Sequence, residues 1–409
     1  MISMSRSWPK FALLGLPTII ITYMAFAAAL AEVTQTSNAD LTLRFSSNNP
    51  VALAVKADQL LAKATTQPAK PGALLDLARR SLYTNPINAR AVRLVGIAYG
   101  LRENPDTAAR LYSLASQISR RDLGDQLLLI EGRVDKDDGV GALKHYDIVL
   151  RTSTSGQETL FPILFSAMAD PAIRLETSKL VATNPPWLKS FLSYTLTQDT
   201  GLANVADVAA AGGGLPADAS FAPYENALLT RLIDTKQFAA LERYSRSAKA
   251  KDADQLTSIA FRRSAPTNRF QPLAWQLSQE NSVSASMETR QENGASWLNV
   301  FAAADNRGYA ARKLLLVSSG PHEFSVDQTI VETGRDAEVR WEIACAEVPT
   351  VLWTSESQNA AGRGSIRQSI NVPDACKVLW INLIAAGGAS ERGIELAVQS
   401  ITLKPIAKP

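Results

Sequence analysis

The sequence predicts a multidomain α + β chain: an N-terminal transmembrane helix, an α-solenoid, and a C-terminal antiparallel β-sandwich of jelly-roll type. Three observations predict it. Residues 11–31 carry no charge, and a helical apolar pattern recurs between Leu74 and Val149 with the spacing that separates Ala108 from Ala142. From residue 264 onward, the period of the apolar pattern shortens from helical to two. The expected bounds are a cytoplasmic N-terminus at 1–10, a transmembrane signal anchor at 11–31 and a tether at 32–48. They continue with a helical solenoid at 49–263 and a sandwich at 264–409.

The uncharged run is preceded by Arg6 and Lys10 and followed by Glu32. As a helix it would span about 30 Å, the thickness of a hydrocarbon core. Basic residues ahead of it place the N-terminus in the cytoplasm by the positive-inside bias. A cleaved signal peptide competes, because Ala29-Leu30-Ala31 could serve as a small-residue cleavage site. The run is longer than a usual signal-peptide core, which favours a retained anchor. The expectation is thus a single-pass protein of a bacterial inner membrane with its bulk in the periplasm, or a secreted one after cleavage. Residues 32–47 are polar and rich in Thr, Ser and Asn, which suits a tether, and Asn49-Pro50 precedes a helical pattern over 51–64.

Tyr112 and Tyr146 stand as far apart as Ala108 and Ala142, and Ala78 lies the same distance before Tyr112. A helix pair of this length cannot bury its own apolar face and must stack on a neighbour. Gly96, Ala108 and Ala115 are small enough to let helix backbones approach, while Tyr99 and Tyr112 fill the wedge between successive pairs. Ala142 and Tyr146 repeat the pattern. Pro86 and Asn104-Pro105-Asp106 punctuate the helices. At these residues the chain resembles the tetratricopeptide repeat family, whose repeat is about 34 residues long, over roughly residues 71–151. Leu74 departs from that pattern where a small residue is usual, and Ile130 and Arg133 replace the Gly and Tyr of the next first helix. The resemblance implies a concave surface for protein partners. An amphipathic bundle with coincidental spacing is the alternative.

After Arg151 further helices are expected over 160–168, 172–181 and 187–196. The Ala/Gly-rich stretch 203–222, with Gly212-Gly213-Gly214, reads as a loop. A helix pair over 224–234 and 238–248 follows, and 255–262 reads as a cap on the array.

In the sandwich, Val283, Ala285 and Met287 alternate with polar residues, as do Val339, Trp341, Ile343 and Cys345. Such alternation means strands with one buried face. The run 313–317 suits a strand covered on both sides, and glycines at 320, 334, 362, 364, 387 and 388 supply turns. The only two cysteines, Cys345 and Cys376, both fall here. An even count in a chain expected to leave the cytoplasm argues for a disulfide, with two free thiols as the alternative. No histidine lies near them in sequence to complete a metal site. Five of the seven tryptophans are also here: Trp275, Trp297, Trp341, Trp353 and Trp380. Trp341 shares the buried face of Val339 and Ile343. Trp353, beside Thr354-Ser355-Glu356, is the better candidate for an exposed indole that stacks on a sugar ring. The order of elements is similar to carbohydrate-binding-like jelly rolls, and that resemblance implies a polysaccharide partner.

Charge and motifs exclude several chemistries. Net charge is +3, from 42 basic and 39 acidic residues spread along the chain. No basic stripe with interleaved aromatics marks a nucleic-acid surface. Asp135, Asp137 and Asp138 resemble the opening of a calcium loop, but Gly139 and Tyr146 stand where ligands are needed, so this reads as an acidic turn. His145 and His322 serve no nucleophile motif, and no phosphate loop or dinucleotide fingerprint appears. No catalytic, cofactor or metal residues are therefore expected. The functional expectation is a non-catalytic, membrane-anchored extracytoplasmic adaptor. It would bind protein partners through its helices and glycan through its sandwich, as in envelope or exopolysaccharide assembly. A glycan hydrolase or lyase using two converging carboxylates is the rival, and a purely structural module the third reading.

Overall fold

A computed structural model describes residues 8–63, 70–247, 253–261, 269–289, 296–389 and 392–406, without the side chains of 8–17 and 19. The chain forms two compact units, Met1–Leu160 and Phe161–Pro409.

The first unit is helical: α1 (Trp8–Thr34), α2 (Ala39–Phe45), α3 (Pro50–Lys63), α4 (Pro71–Thr84), α5 (Ala89–Gly100), α6 (Pro105–Ile118), α7 (Leu123–Val134) and α8 (Gly139–Thr152). Asn88, Asn104, Asp122 and Asp138 cap α5 to α8, each accepting a hydrogen bond from the backbone N–H three residues on. A side-chain oxygen there satisfies one of the N–H groups a helix start leaves unpaired. Asn88 and Asp122 stand one repeat apart, as do Asn104 and Asp138. So do Glu103 (φ 59°) and Asp137 (φ 55°), which turn the chain between the helices of each pair. The α7–α8 pair thus repeats the caps and turns of α5–α6 at one offset. Ala108, Ala115, Ala142 and Tyr146 are buried. Tyr99, half-buried, packs against the α3–α5 core, and a Cβ on Gly96 would lie 2.7 Å from Cε1 of Tyr112. Arg93 of α5, also buried, meets Asp58 of α3 and the α7 cap Asp122, each at 3.0 Å.

The expected membrane anchor is corrected. Among the described residues no helix is long and apolar enough to cross a membrane. The end of α1 instead packs as a structural helix: Ala31 is buried, and Thr34 Oγ1 lies 2.8 Å from Thr42 Oγ1 of α2. The inner-membrane localisation drawn from residues 11–31 falls with it. Most of the expected N-terminal segment 1–10, including Arg6, lies outside the described residues.

Helix α9 (Thr154–Ala167) runs from the first unit into the second. There follow α10 (Pro171–Ala182), α11 (Leu188–Leu196), α12 (Leu202–Ala211), α13 (Ala222–Asp234) and α14 (Phe238–Ser247). Helix α12 occupies much of the stretch read as a loop. Leu202, Val205, Ala206, Val208 and Ala209 recur at helical spacing and are buried, and the glycines that suggested a loop, 212–214, only stop the helix.

The expected boundary at 263/264 lies outside the described residues. Beyond it Arg269 is clamped to the helices. Its Nη2 meets Glu225 Oε1 of α13 at 2.8 Å and also reaches the Leu215 carbonyl at 3.2 Å, while Tyr244 of α14 donates to the same carboxylate at 2.5 Å. Lys313, also buried, donates to the carbonyls of Gln255 and Leu314 at 2.6 and 3.0 Å. Burial of either cation is tolerable because oxygens replace its water.

Ten strands follow among the described residues: β1 (Gln276–Leu277), β2 (Val283–Thr289), β3 (Ser296–Ala302), β4 (Arg307–Leu316), β5 (Gly320–Thr333), β6 (Glu338–Cys345), β7 (Val351–Thr354), β8 (Gly362–Val372), β9 (Val378–Ala386) and β10 (Ile394–Pro405). They form two antiparallel sheets, β1-β4-β9-β6-β7 and β2-β3-β10-β5-β8. The interior holds Phe324, Trp341, Leu383 and Leu396, all fully buried. On β6 the expected alternation is complete: Val339, Trp341, Ile343 and Cys345 point inward. Cys345 and Cys376 form the disulfide, closing a loop of sequence separation 31. Such bonds belong to chains that fold in an oxidising compartment.

Candidate functional site

Strand β9 lies between β4 and β6. Its residues Leu379, Ile381, Leu383 and Ala385 fill the core, so period-two alternation sends Trp380, Asn382 and Ile384 to the opposite face. The ladder aligns neighbours with them. Arg312, Asn382 and Glu342 form one row across β4, β9 and β6; Leu314, Trp380 and Ala344 form a second; Tyr309, Ile384 and Arg340 form a third. A bulge between Tyr309 and Ala311 brings Tyr309 and Arg312, three positions apart, to the same side.

Arg312 organises this face. Its guanidinium carbon lies 4.3 Å from the Trp380 ring centroid and 5.0 Å from that of Tyr309, within the range of cation–π attraction. Its Nε donates to Asn382 Oδ1 at 3.1 Å, and Asn382 Nδ2 donates to Glu342 Oε1 at 2.9 Å. The amide thus separates cation from carboxylate. Among the described residues the two terminal nitrogens of Arg312 have no hydrogen-bond partner. Beside this row Glu338 is met by Arg340 at 2.7 Å and Arg307 at 3.0 Å. The Ser357 hydroxyl first, then these two arginines, hold the Glu338 carboxyl below its usual range. Tyr309 is 49% exposed, while Asn382 is buried beneath its partners.

The other tryptophans are placed differently. Trp353, the expected glycan contact, is half-buried on edge strand β7, with its ring 5.5 Å from that of Phe324. Trp341 is fully buried and donates from Nε1 to Gln328 at 2.9 Å, and Trp275 packs edge-on against it at 6.4 Å. Trp297 and the exposed Phe301 lie on the outward side of β3 opposite Glu288 and Glu395, an acidic setting unlike that of Arg312. The signal for Trp380 was present in Val378–Ala386, where Trp380 and Asn382 share one parity of an otherwise apolar strand. The arginine became visible only through its register with that strand.

Two further places gather polar side chains. A groove of about 980 Å³ in the first unit is lined by Tyr112, Leu128, Leu129, Glu131, Arg133 and His145 among others. His145 lies 2.9 Å from Gln126, and its pKa is lowered by burial, then by Arg133 and Lys144. Glu347 approaches the two cysteine sulfurs, but both are in the disulfide and the carboxylate accepts the Lys377 and Val378 amides at 3.1 Å. That trio offers no thiolate to a metal.

No protein-family model and no curated protein matches the chain. Among solved structures it is similar to one titled "CBM4 structure and function", at 10% identity and a TM-score of 0.23, covering 30% of this chain and 87% of that one. It is also similar to TmCBM61 in complex with β-1,4-galactotriose, at 11% identity and 0.24, covering 34% and 90%. A third is the CBM22-1 xylan-binding domain from Paenibacillus barcinonensis Xyn10C, at 14% and 0.21, covering 32% and 87%. Likenesses this slight identify no ligand for this chain.

Proposed function

We propose that the sandwich is a non-catalytic glycan-binding module that uses the outward face of β4, β9 and β6. The observation that carries this reading is the joined set Tyr309, Arg312, Trp380, Asn382 and Glu342 on one sheet face. Sugar rings present apolar C–H faces to aromatic planes and hydroxyls to side-chain donors and acceptors. This face offers both, on strands held rigid by the core behind them. We infer further that the helical array is of tetratricopeptide type and carries a protein partner. The common offset of its caps and left-handed turns supports that type, and the groove beside Tyr112 is a surface for the partner.

The test is affinity electrophoresis of the full chain in gels containing a panel of polysaccharides, with release of reducing ends followed in parallel. Retardation by a polymer without its cleavage, lost in Trp380→Ala while far-ultraviolet circular dichroism and the urea midpoint are unchanged, is the expected result. Failure of every polymer to retard the chain would overturn the reading, and cleavage would make it an enzyme.

A further inference from the structure

Resting on that reading, we propose that the glycan is acidic, and that the terminal nitrogens of Arg312 hold the carboxylate of a uronic-acid residue. A guanidinium presents paired N–H donors in a planar fork that matches a carboxylate. In Arg312 the Nε edge is taken by Asn382, which fixes the plane, and the terminal edge has no partner among the described residues. The Trp380 and Tyr309 rings flank the same group. They limit its hydration and hold it in one orientation, so less side-chain freedom is lost when an anion docks.

The surrounding charge favours an anion over a neutral ring. Three arginines, at 307, 312 and 340, share this face with two carboxylates. Glu338 is already engaged by Arg307 and Arg340, and Glu342 is turned to the Asn382 amide. Arg312 is therefore the cation left to answer a ligand. A polymer of neutral sugars would leave its terminal donors with only water, whereas a uronate places one carboxylate on each ring that carries it, next to the C–H face that the aromatics contact.

The experiment compares one polymer in two chemical forms. The full chain is run in gels containing polygalacturonate, the same polymer with its carboxyl groups reduced to hydroxymethyls, neutral galactan and xylan, and polyglutamate as a charged polymer without sugar rings. The expected result is retardation by polygalacturonate, at least tenfold weaker for the reduced form and absent with polyglutamate. Arg312→Gln should lose at least tenfold in affinity. Arg312→Lys, which keeps the charge but not the fork, should recover only part of it. Equal retardation by the native and reduced polymers, or by a neutral glycan alone, would overturn the acidic assignment and leave the glycan-binding face standing. Equal retardation by polyglutamate would show unspecific ion exchange and overturn it too. No retardation by any polymer would overturn both.

Discussion

Arg269 meets Glu225 at two points, Nη2 to Oε1 at 2.8 Å and Nε to Oε2 at 2.5 Å, with both side chains out of water. Removing one partner of such a pair leaves the other charge buried alone, which costs about 3 to 5 kcal/mol, whereas replacing both by apolar groups costs much less. Arg269→Met is expected to lower the urea midpoint of the second unit accordingly, and Arg269→Met with Glu225→Leu to recover part of the loss. A single-variant shift no larger than that of exposed Arg246→Ala would show that the pair is not structural.

Two helical glycines should respond oppositely to alanine. At Gly96 the new Cβ would lie 2.7 Å from the Tyr112 ring, while at Gly132 nothing lies within 4 Å. Overpacking costs about 1 to 3 kcal/mol, and an exposed helical Gly→Ala gains about 0.5 to 1 kcal/mol. Thermal unfolding followed by far-ultraviolet circular dichroism should move down for Gly96→Ala and up for Gly132→Ala. Shifts of the same sign would contradict the close approach of α5 and α6.

Asp125 is fully buried, and neither carboxylate oxygen has a hydrogen-bond partner. Burial, then the charge of Asp122, push its pKa up to about 7, with Arg93 pulling the other way. Between its usual value of 3.8 and about 7 the folded chain holds a proton the unfolded chain has lost. The contribution is complete below that interval, declines as pH rises through it and levels off above about 7. Its size is at most about 4 kcal/mol. Urea midpoints of the wild type should fall between pH 4.5 and 7.5, and those of Asp125→Asn should fall less; parallel curves would exclude Asp125 as the source.

The Cys345–Cys376 bond closes a loop of separation 31. On the chain-entropy account this stabilises the sandwich by about 3 to 4 kcal/mol. Reduction, or Cys345→Ser with Cys376→Ser, should lower the denaturant midpoint by that amount. An unchanged midpoint would show that the strands alone hold this edge.

Local periodicity carried much of the fold. Ala108 and Ala142, or Val339 to Cys345, announce their partners by spacing because a stacked helix pair and a one-sided strand each repeat at a fixed period. Residues 202–211 misled because alanine is both the best helix former and a companion of glycine in loops; burial of Val205 and Val208 decided for the helix. The uncharged run at 11–31 misled because apolarity alone does not distinguish a lipid-facing helix from one whose end packs on α2. The polar neighbours of Trp353 suggest exposure, while its ring lies 5.5 Å from that of Phe324 on β5 of the opposite sheet, a neighbour that no local pattern announces. Arg312 and Asn382 lie on strands far apart in sequence, with a separation of 70, and no local pattern pairs them.

Tyr309, Arg312, Trp380, Asn382 and Glu342 ride on three adjacent strands whose alternate residues are the interior of the sandwich. The two sides of these strands are thereby separable: a residue can be exchanged on one parity while the other keeps its packing. If this face binds glycan as proposed, a handful of outward substitutions could re-address it to a different polymer without a new fold, because those side chains are not part of the core.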